Sequence, residues 1–308
     1  MADFINTIDA LGDEAVTDSL ISRTITEYCD DQVTKIGNYA FGGCSKLSTV
    51  ECPNVLRIWD SAFYNCTSLT SVSFPACVNI YSSAFYNCTS LTSVSFPVCV
   101  SMSEGAFSRC TSLTSVSFPL CTRTDASTFY GCGNLTNVFF PECTAIGTAA
   151  FYSCKTLTDV SFPKCSYVGN DAFKYCDTLT NVDLPMCLSV GAGAFTNCYS
   201  LASVALPVCT TVSTRGFTGC SNLTSLTLPV CTAIGSSAFE RCITLSALVL
   251  ANSVVCNLSN SKAFTSTPIA SGTGYVYVPA SLVASYQAAA NWSYISAQIS
   301  AIEDSEFS

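Results

Sequence analysis

The chain has 308 residues, 49% of them hydrophobic and only 11% charged, with a net charge of −9. That length can bury a large core, and the charge sits at the ends: residues 1–35 and the tail from Glu303 hold eleven acids against two bases, while the remainder holds ten of each. A neutral middle with no basic stripe speaks against a nucleic-acid partner, and no apolar run approaches the length of a membrane-spanning helix, so no membrane insertion is expected.

Taken in chain order, the N-terminus shows no basic region followed by an apolar run, so no signal peptide is expected. Asp13 or Asp18 would cap a short helix over Ala15–Ile21. Thr24–Tyr28 and Gln32–Ile36 read as strands around a turn at Asp30 and Asp31. They lead into Ala40 and Phe41, where a strict period begins. Phenylalanine recurs every 22 residues from Phe41 to Phe239, with Cys three residues later (Cys44 to Cys242), Leu three beyond that (Leu47 to Leu245), and then Val or Leu (Val50 to Leu248). Proline follows from Pro53 to Pro229, and a second cysteine series runs from Cys77 to Cys231.

Within one turn, Phe63 to Phe85, the apolar positions are Phe63, Cys66, Leu69, Val72, Phe74, Cys77, Ile80 and Ala84. Val72 and Phe74 are spaced by two, as a strand requires, and Pro75 removes a donor and ends it. No single turn can bury its own apolar side, so neighbours must stack about 4.8 Å apart to pair backbone groups and close a core. The stretch Leu69-x-x-Val72-x-Phe74-x-x-Cys77 fits the leucine-rich-repeat pattern. With C-x-x-L before it and [IVG]-x-x-A-F after it, the sequence resembles the BspA-like, bacterial surface-protein class of leucine-rich repeats over roughly residues 29–264.

The expected fold is therefore mainly β, a leucine-rich-repeat solenoid of about ten to eleven 22-residue turns. Residues 1–35 would form an N-terminal cap, 36–264 the solenoid, and 265–308 a C-terminal strand-helix cap. The period breaks at the far end, where Phe264 follows Phe239 by 25 residues. Gly274–Pro279 reads as a last strand, Ser281–Ala290 as a helix, and Trp292–Ile302 as a second helix.

The 21 cysteines invite a metal or disulfide reading. The two series are 11 residues apart with no C-x-x-C, unlike a thiolate metal site. Stacked residues about 4.8 Å apart stand farther from one another than a disulfide wants its β-carbons. Buried, reduced cysteines acting as small hydrophobes are expected, with no metal and no cofactor. No histidine is present, which removes Ser-His and Cys-His nucleophile pairs, and no glycine-rich phosphate loop occurs; no catalytic residue is assigned.

Two surfaces remain as binding candidates. Trp59 and Tyr81 stand where later turns often carry Gly, and Tyr64, Tyr86, Tyr130 and Tyr152 follow their repeat phenylalanines directly. Trp59, Tyr64, Tyr81 and Tyr86 belong to two adjacent turns and would form an aromatic stripe for one ligand. The alternative is the strand face, expected to line a concave surface, where Ser115, Ser117, Asn137 and Asp159 are small and polar and Phe139 is an outward aromatic. The function expected is non-enzymatic: a binding or adhesion module presenting a solenoid surface to a protein or glycan. The alternative is a structural or receptor-binding part of a phage or prophage particle. The resemblance implies a bacterial setting, at an extracellular surface or on a phage particle; the residues themselves assign no compartment.

Overall fold

The computed structural model describes residues 24–302 together with the short strands Thr7–Ile8 and Glu14–Val16. The fold is a mainly parallel β solenoid of about 12 turns of about 22 residues. The chain divides into two compact units, one ending at Leu157 and the other beginning at Thr158.

In the first unit each turn contributes two short strands. The three-residue strands, such as Ser71–Ser73 and Ser93–Ser95, centre on the inward Val, and the two-residue strands, such as Arg57–Ile58 and Asn79–Ile80, end on an inward aliphatic residue. Pairing is parallel and in register by 22 residues: Val94, Val116 and Val138 align, as do Ile36, Ile58 and Ile80. Between the two strands the chain turns at the repeat proline and cysteine; after the second it passes through the Ala-Phe segment. There it adopts left-handed φ twice per turn, two residues before and two after the phenylalanine, as at Ser61 and Asn65 (φ 54° and 59°) or Ser83 and Asn87 (φ 54° and 58°). Asn and Ser tolerate that conformation better than branched residues do. The consequence is directional. Alternate amides along the segment point to the following turn, so that Tyr39, Phe41 and Gly43 donate to the carbonyls of Asp60, Ala62 and Tyr64, while Ala40, Gly42 and Cys44 close local turns.

The core follows the period. Phe41, Phe63, Phe85, Phe107, Phe129 and Phe151 form one fully buried column, with centroid steps of 5.0, 5.0, 5.0, 5.6 and 5.4 Å. A second column, Phe74, Phe96, Phe118 and Phe140, tilts against it. Each ring buries a large apolar area and gains a further offset-stacking contribution of roughly 0.5–1.5 kcal/mol per pair.

The N-terminal elements differ from expectation. Ala15 and Val16, read as the start of a helix, lie in the strand Glu14–Val16, which pairs in parallel with Lys35–Ile36. An exposed sheet edge offers unpaired donors and acceptors that an added strand satisfies, and a short isolated helix has no comparable gain. Residues 17–21, the rest of the expected helix, and both of its expected caps, Asp13 and Asp18, lie outside the described residues. The expected strands are present but shorter, Glu27–Cys29 and Lys35–Ile36. Tyr28 meets the first phenylalanine, Phe41, edge-on at 4.9 Å.

In the second unit the same turns continue, from the strand Asp159–Ser161 onward. The column Phe173, Phe195, Phe217, Phe239 and Phe264 keeps steps of 5.3, 5.1, 5.8 and 5.6 Å. Phe264 holds its place although it is 25 residues on: two of the three extra residues fall in the corner before Asn257–Leu258, which pairs with Ala233–Ile234 at a shift of 24, and the third falls between Leu258 and Phe264. Tyr275–Val278 is a strand, as read, and lies parallel to Ala247–Val249. It is not the last strand. The segment read as a second helix is a 3₁₀ stretch, Ser293–Gln298, followed by the strand Ile299–Ala301, which pairs with Tyr275–Val278. The apolar spacing of Trp292, Ile295 and Ile299 suits a helix, but the open edge of Tyr275–Val278 takes Ile299 into a ladder instead. The helix between them is short, Val283–Ala288, and is preceded by a 3₁₀ turn, Ala280–Leu282.

Candidate functional site

The cysteines are the most repeated polar feature, and their geometry explains the residue type. None is disulfide-bonded; twenty are buried and Cys29 is exposed. In the first series, beyond Cys44, thiols donate to the carbonyl of the phenylalanine in the preceding turn: Cys66 to Phe41 at 3.0 Å, Cys88 to Phe63 at 3.2 Å, Cys110 to Phe85 at 3.1 Å, and Cys198 to Phe173 at 3.1 Å. In the second series the thiol donates two residues ahead, as from Cys99 to Ser101 and from Cys121 to Arg123. A leucine would fill the space and leave those carbonyls with one partner fewer; the thiol is both small and a weak donor. Burial pushes the thiols of Cys77 and Cys187 up to about 12 and that of Cys209 to about 11. They are neutral at physiological pH, the state least suited to nucleophilic or metal chemistry. Among the described residues no group of three or more His, Cys, Asp or Glu side chains is placed to hold a metal ion.

The strand face is a ladder of polar side chains. Ser115 aligns with Ser93 and Asn137, and Ser117 with Ser95 and Phe139. Ser115 and Ser117 are half-buried and Asn137 is exposed. Phe139 is 55% exposed, an aromatic outlier on a face of hydroxyls. Beside this face, Thr114 and Thr136 donate to the carbonyls of Thr92 and Thr114. A shallow depression of about 520 Å³ runs over Ser71–Ser73, Ser93–Ser95 and Ser115–Ser117. In the second unit, exposed Asp159 accepts from the Asn181 amide at 2.7 Å, which holds its carboxyl below the usual carboxylate range.

The aromatic candidates form two columns. Trp59 stacks on Tyr81 at 4.5 Å and 4°, and Tyr64 on Tyr86 at 5.0 Å and 6°. All four are half-buried, and among the described residues no ring contact joins one column to the other. Trp59 and Tyr81 find room that the turns of Gly147 and Gly235 lack. A Cβ added at Gly147 would fall 2.5 Å from the backbone of Asp125, and one at Gly235 2.4 Å from that of Thr214, so those turns close too tightly for any side chain. The Tyr64–Tyr86 column has a neighbourhood that sequence reasoning missed. Beyond Tyr86 a depression of about 490 Å³ extends to Tyr130 and includes Glu104, Ser108 and Arg109. Its signal was present in the register, where Ser108 interrupts the series Tyr64, Tyr86, Tyr130, Tyr152.

These turns, with a Leu and a Phe at fixed inward positions every 22 residues and an outward polar strand face, define a leucine-rich-repeat solenoid. The chain belongs to the family described as the BspA type leucine rich repeat region (6 copies), whose model matches residues 17–124, 78–198, 122–246 and 166–274. No curated protein matches the chain. Among solved structures, a leucine-rich repeat protein from Bacteroides ovatus ATCC 8483 is similar in fold, with a TM-score of 0.54, 22% identity, 94% of this chain and 87% of that one covered. A leucine rich cell surface protein from Faecalibacterium prausnitzii A2-165 aligns with a TM-score of 0.47 and 21% identity over 88% of this chain and 91% of that one.

Proposed function

We propose that this chain is a non-enzymatic binding or adhesion module whose turns present an extended surface to a protein or glycan partner. The observation that carries the reading is the in-register repetition of outward, chemically uniform side chains: hydroxyls along the strands and half-exposed rings beside the phenylalanine column. A surface of that kind offers many weak contacts with a few anchoring rings. Residues 1–35 and 265–308 serve as caps that cover the end turns. The family supports an extracellular surface as the module's setting, with a phage particle as the alternative; comparing washed cells, culture medium and purified particles with an antibody to the chain decides between them.

Trp59, Tyr64, Tyr81 and Tyr86 are the proposed anchors; the competing site is the strand face, Ser115, Ser117, Asn137 and Phe139 in the first unit and, in the second taken by itself, Asp159. The test is a screen of immobilised glycans and host extracellular proteins with the full-length chain, followed by substitution. A Trp59→Ala, Tyr81→Ala double variant should weaken binding by about tenfold or more, and Phe139→Ala should leave it within about twofold. The opposite pattern assigns binding to the strand face. A full-length chain that binds nothing in the screen refutes the binding reading.

A further inference from the structure

The outer tyrosine column skips one ring. Tyr64 and Tyr86 stack at 5.0 Å, and Tyr130 and Tyr152 at 4.7 Å and 11°. The position between them is Ser108, only 5% exposed, whose hydroxyl donates to the Tyr130 carbonyl at 3.4 Å. Two turns of a parallel stack span about 10 Å. Tyr86 and Tyr130 therefore bound a slot in which one ring would sit roughly 5 Å from each face, the step that the column itself uses. Glu104 and Arg109, both exposed, help to line it, and Ser127 contributes a further hydroxyl. The Arg109 backbone is held at a left-handed φ of 60°, and its guanidinium lies over the Tyr86 ring, 5.7 Å from the centre, so this exposed side chain swings off the Tyr86 face when a ring enters.

We propose that this slot binds one neutral pyranose ring of a glycan, sandwiched between Tyr86 and Tyr130, with its hydroxyls read by Arg109 and Glu104. This rests on the binding-module reading and names a ligand class for it. A pyranose has two apolar C–H faces and a rim of hydroxyls that each donate and accept. The slot has the matching arrangement: two aromatic walls, a guanidinium that only donates and a carboxylate that only accepts. An aromatic side chain of a protein partner would satisfy the walls but leave Arg109 and Glu104 desolvated without partners, which costs affinity. Binding sites of this type combine apolar walls with a few placed polar groups that set orientation.

The test is native affinity electrophoresis of the full-length chain in gels containing a soluble glucan, galactan or mannan, with the unchanged chain beside Ser108→Tyr, Tyr86→Ala, Tyr130→Ala and Tyr152→Ala. Ser108→Tyr supplies the missing ring, the same residue that four other turns carry in this register, so the fold accommodates it while the slot closes. At least one polysaccharide should retard the unchanged chain. Ser108→Tyr should abolish that retardation, Tyr86→Ala and Tyr130→Ala should each weaken it about tenfold or more, and Tyr152→Ala should not. Circular dichroism and melting temperature identify a variant that fails to fold, and in that case the two alanine variants decide. If none of the three polysaccharides retards the chain, the pyranose assignment is overturned, while the host-protein screen still judges the wider reading. Retardation that survives Ser108→Tyr and both alanine variants overturns the slot and upholds the binding module.

Discussion

At the scale of the residue, the cysteines carry the most direct predictions. Twenty are buried and only Cys29 is exposed, so a thiol reagent should label about one group quickly in the native chain and the rest after unfolding. Fast labelling of many groups would contradict the packing. Burial also links the array to pH. The thiols of Cys77 and Cys187 rise from 9.0 to about 12, so the folded chain holds them neutral where the unfolded chain ionises them. Their contribution is fully present below pH 9 and is lost as pH rises toward about 12. In a reductant, the melting temperature should stay level up to about pH 9 and fall steeply above it, and a flat profile to pH 11 would exclude this linkage. Packing gives a second contrast. Leu135 is completely buried between stacked turns, and Leu135→Ala should cost roughly 2–5 kcal/mol. Ser115, half-buried on the strand face, should change stability by no more than about 0.5 kcal/mol when replaced by Ala. Urea denaturation of the two variants side by side measures both.

At the scale of the element, the C-terminal segment closes the second unit through specific contacts. Tyr275–Val278 covers the edge of Ala247–Val249 and is itself covered by Ile299–Ala301. Trp292 packs against Phe264 at 5.9 Å and donates its ring N–H to the Cys256 carbonyl at 2.8 Å. The Tyr286 hydroxyl accepts from the Cys256 amide, also at 2.8 Å. Both backbone groups of the residue where the period breaks are thereby satisfied. Deleting residues 273–308 would expose Phe264, the Cys256 peptide and a three-residue strand edge, so the shortened chain should aggregate or melt at lower temperature. Size-exclusion chromatography with light scattering checks it: a monomer that melts like the full chain would remove the capping role.

At the scale of the whole molecule, the balance of charge shapes how a partner is met. The acids are concentrated at the ends, while the turns are neutral. Binding through rings and hydroxyls should therefore change by less than about threefold between roughly 0.05 and 0.3 M salt, because screening acts on charge. Surface plasmon resonance across that range reads it directly, and binding lost at moderate salt would instead implicate the acidic N-terminal segment.

Much of the fold was legible before any coordinates. A 22-residue period with Phe, Cys, Leu and Val in fixed register leaves stacking as the way to bury every apolar position, so turn length, strand phase and the buried identity of both cysteine series follow from spacing alone. The ends were not legible in the same way. Residues 14–16 and 299–301 carry local patterns that suit helices, but each meets an open sheet edge, and the hydrogen bonds of that edge outweigh a weak local preference. The aromatic candidates divide likewise. Their recurrence is written in the sequence, but whether rings meet depends on the geometry of the turns. Trp59 pairs with Tyr81 and Tyr64 with Tyr86 as separate columns. The slot at Ser108 exists only because stacking places Tyr86 and Tyr130, 44 residues apart in the chain, on neighbouring sides of one missing ring. Periodicity determines what each turn buries; the distance between turns, set by backbone pairing, decides what their outward side chains can hold between them.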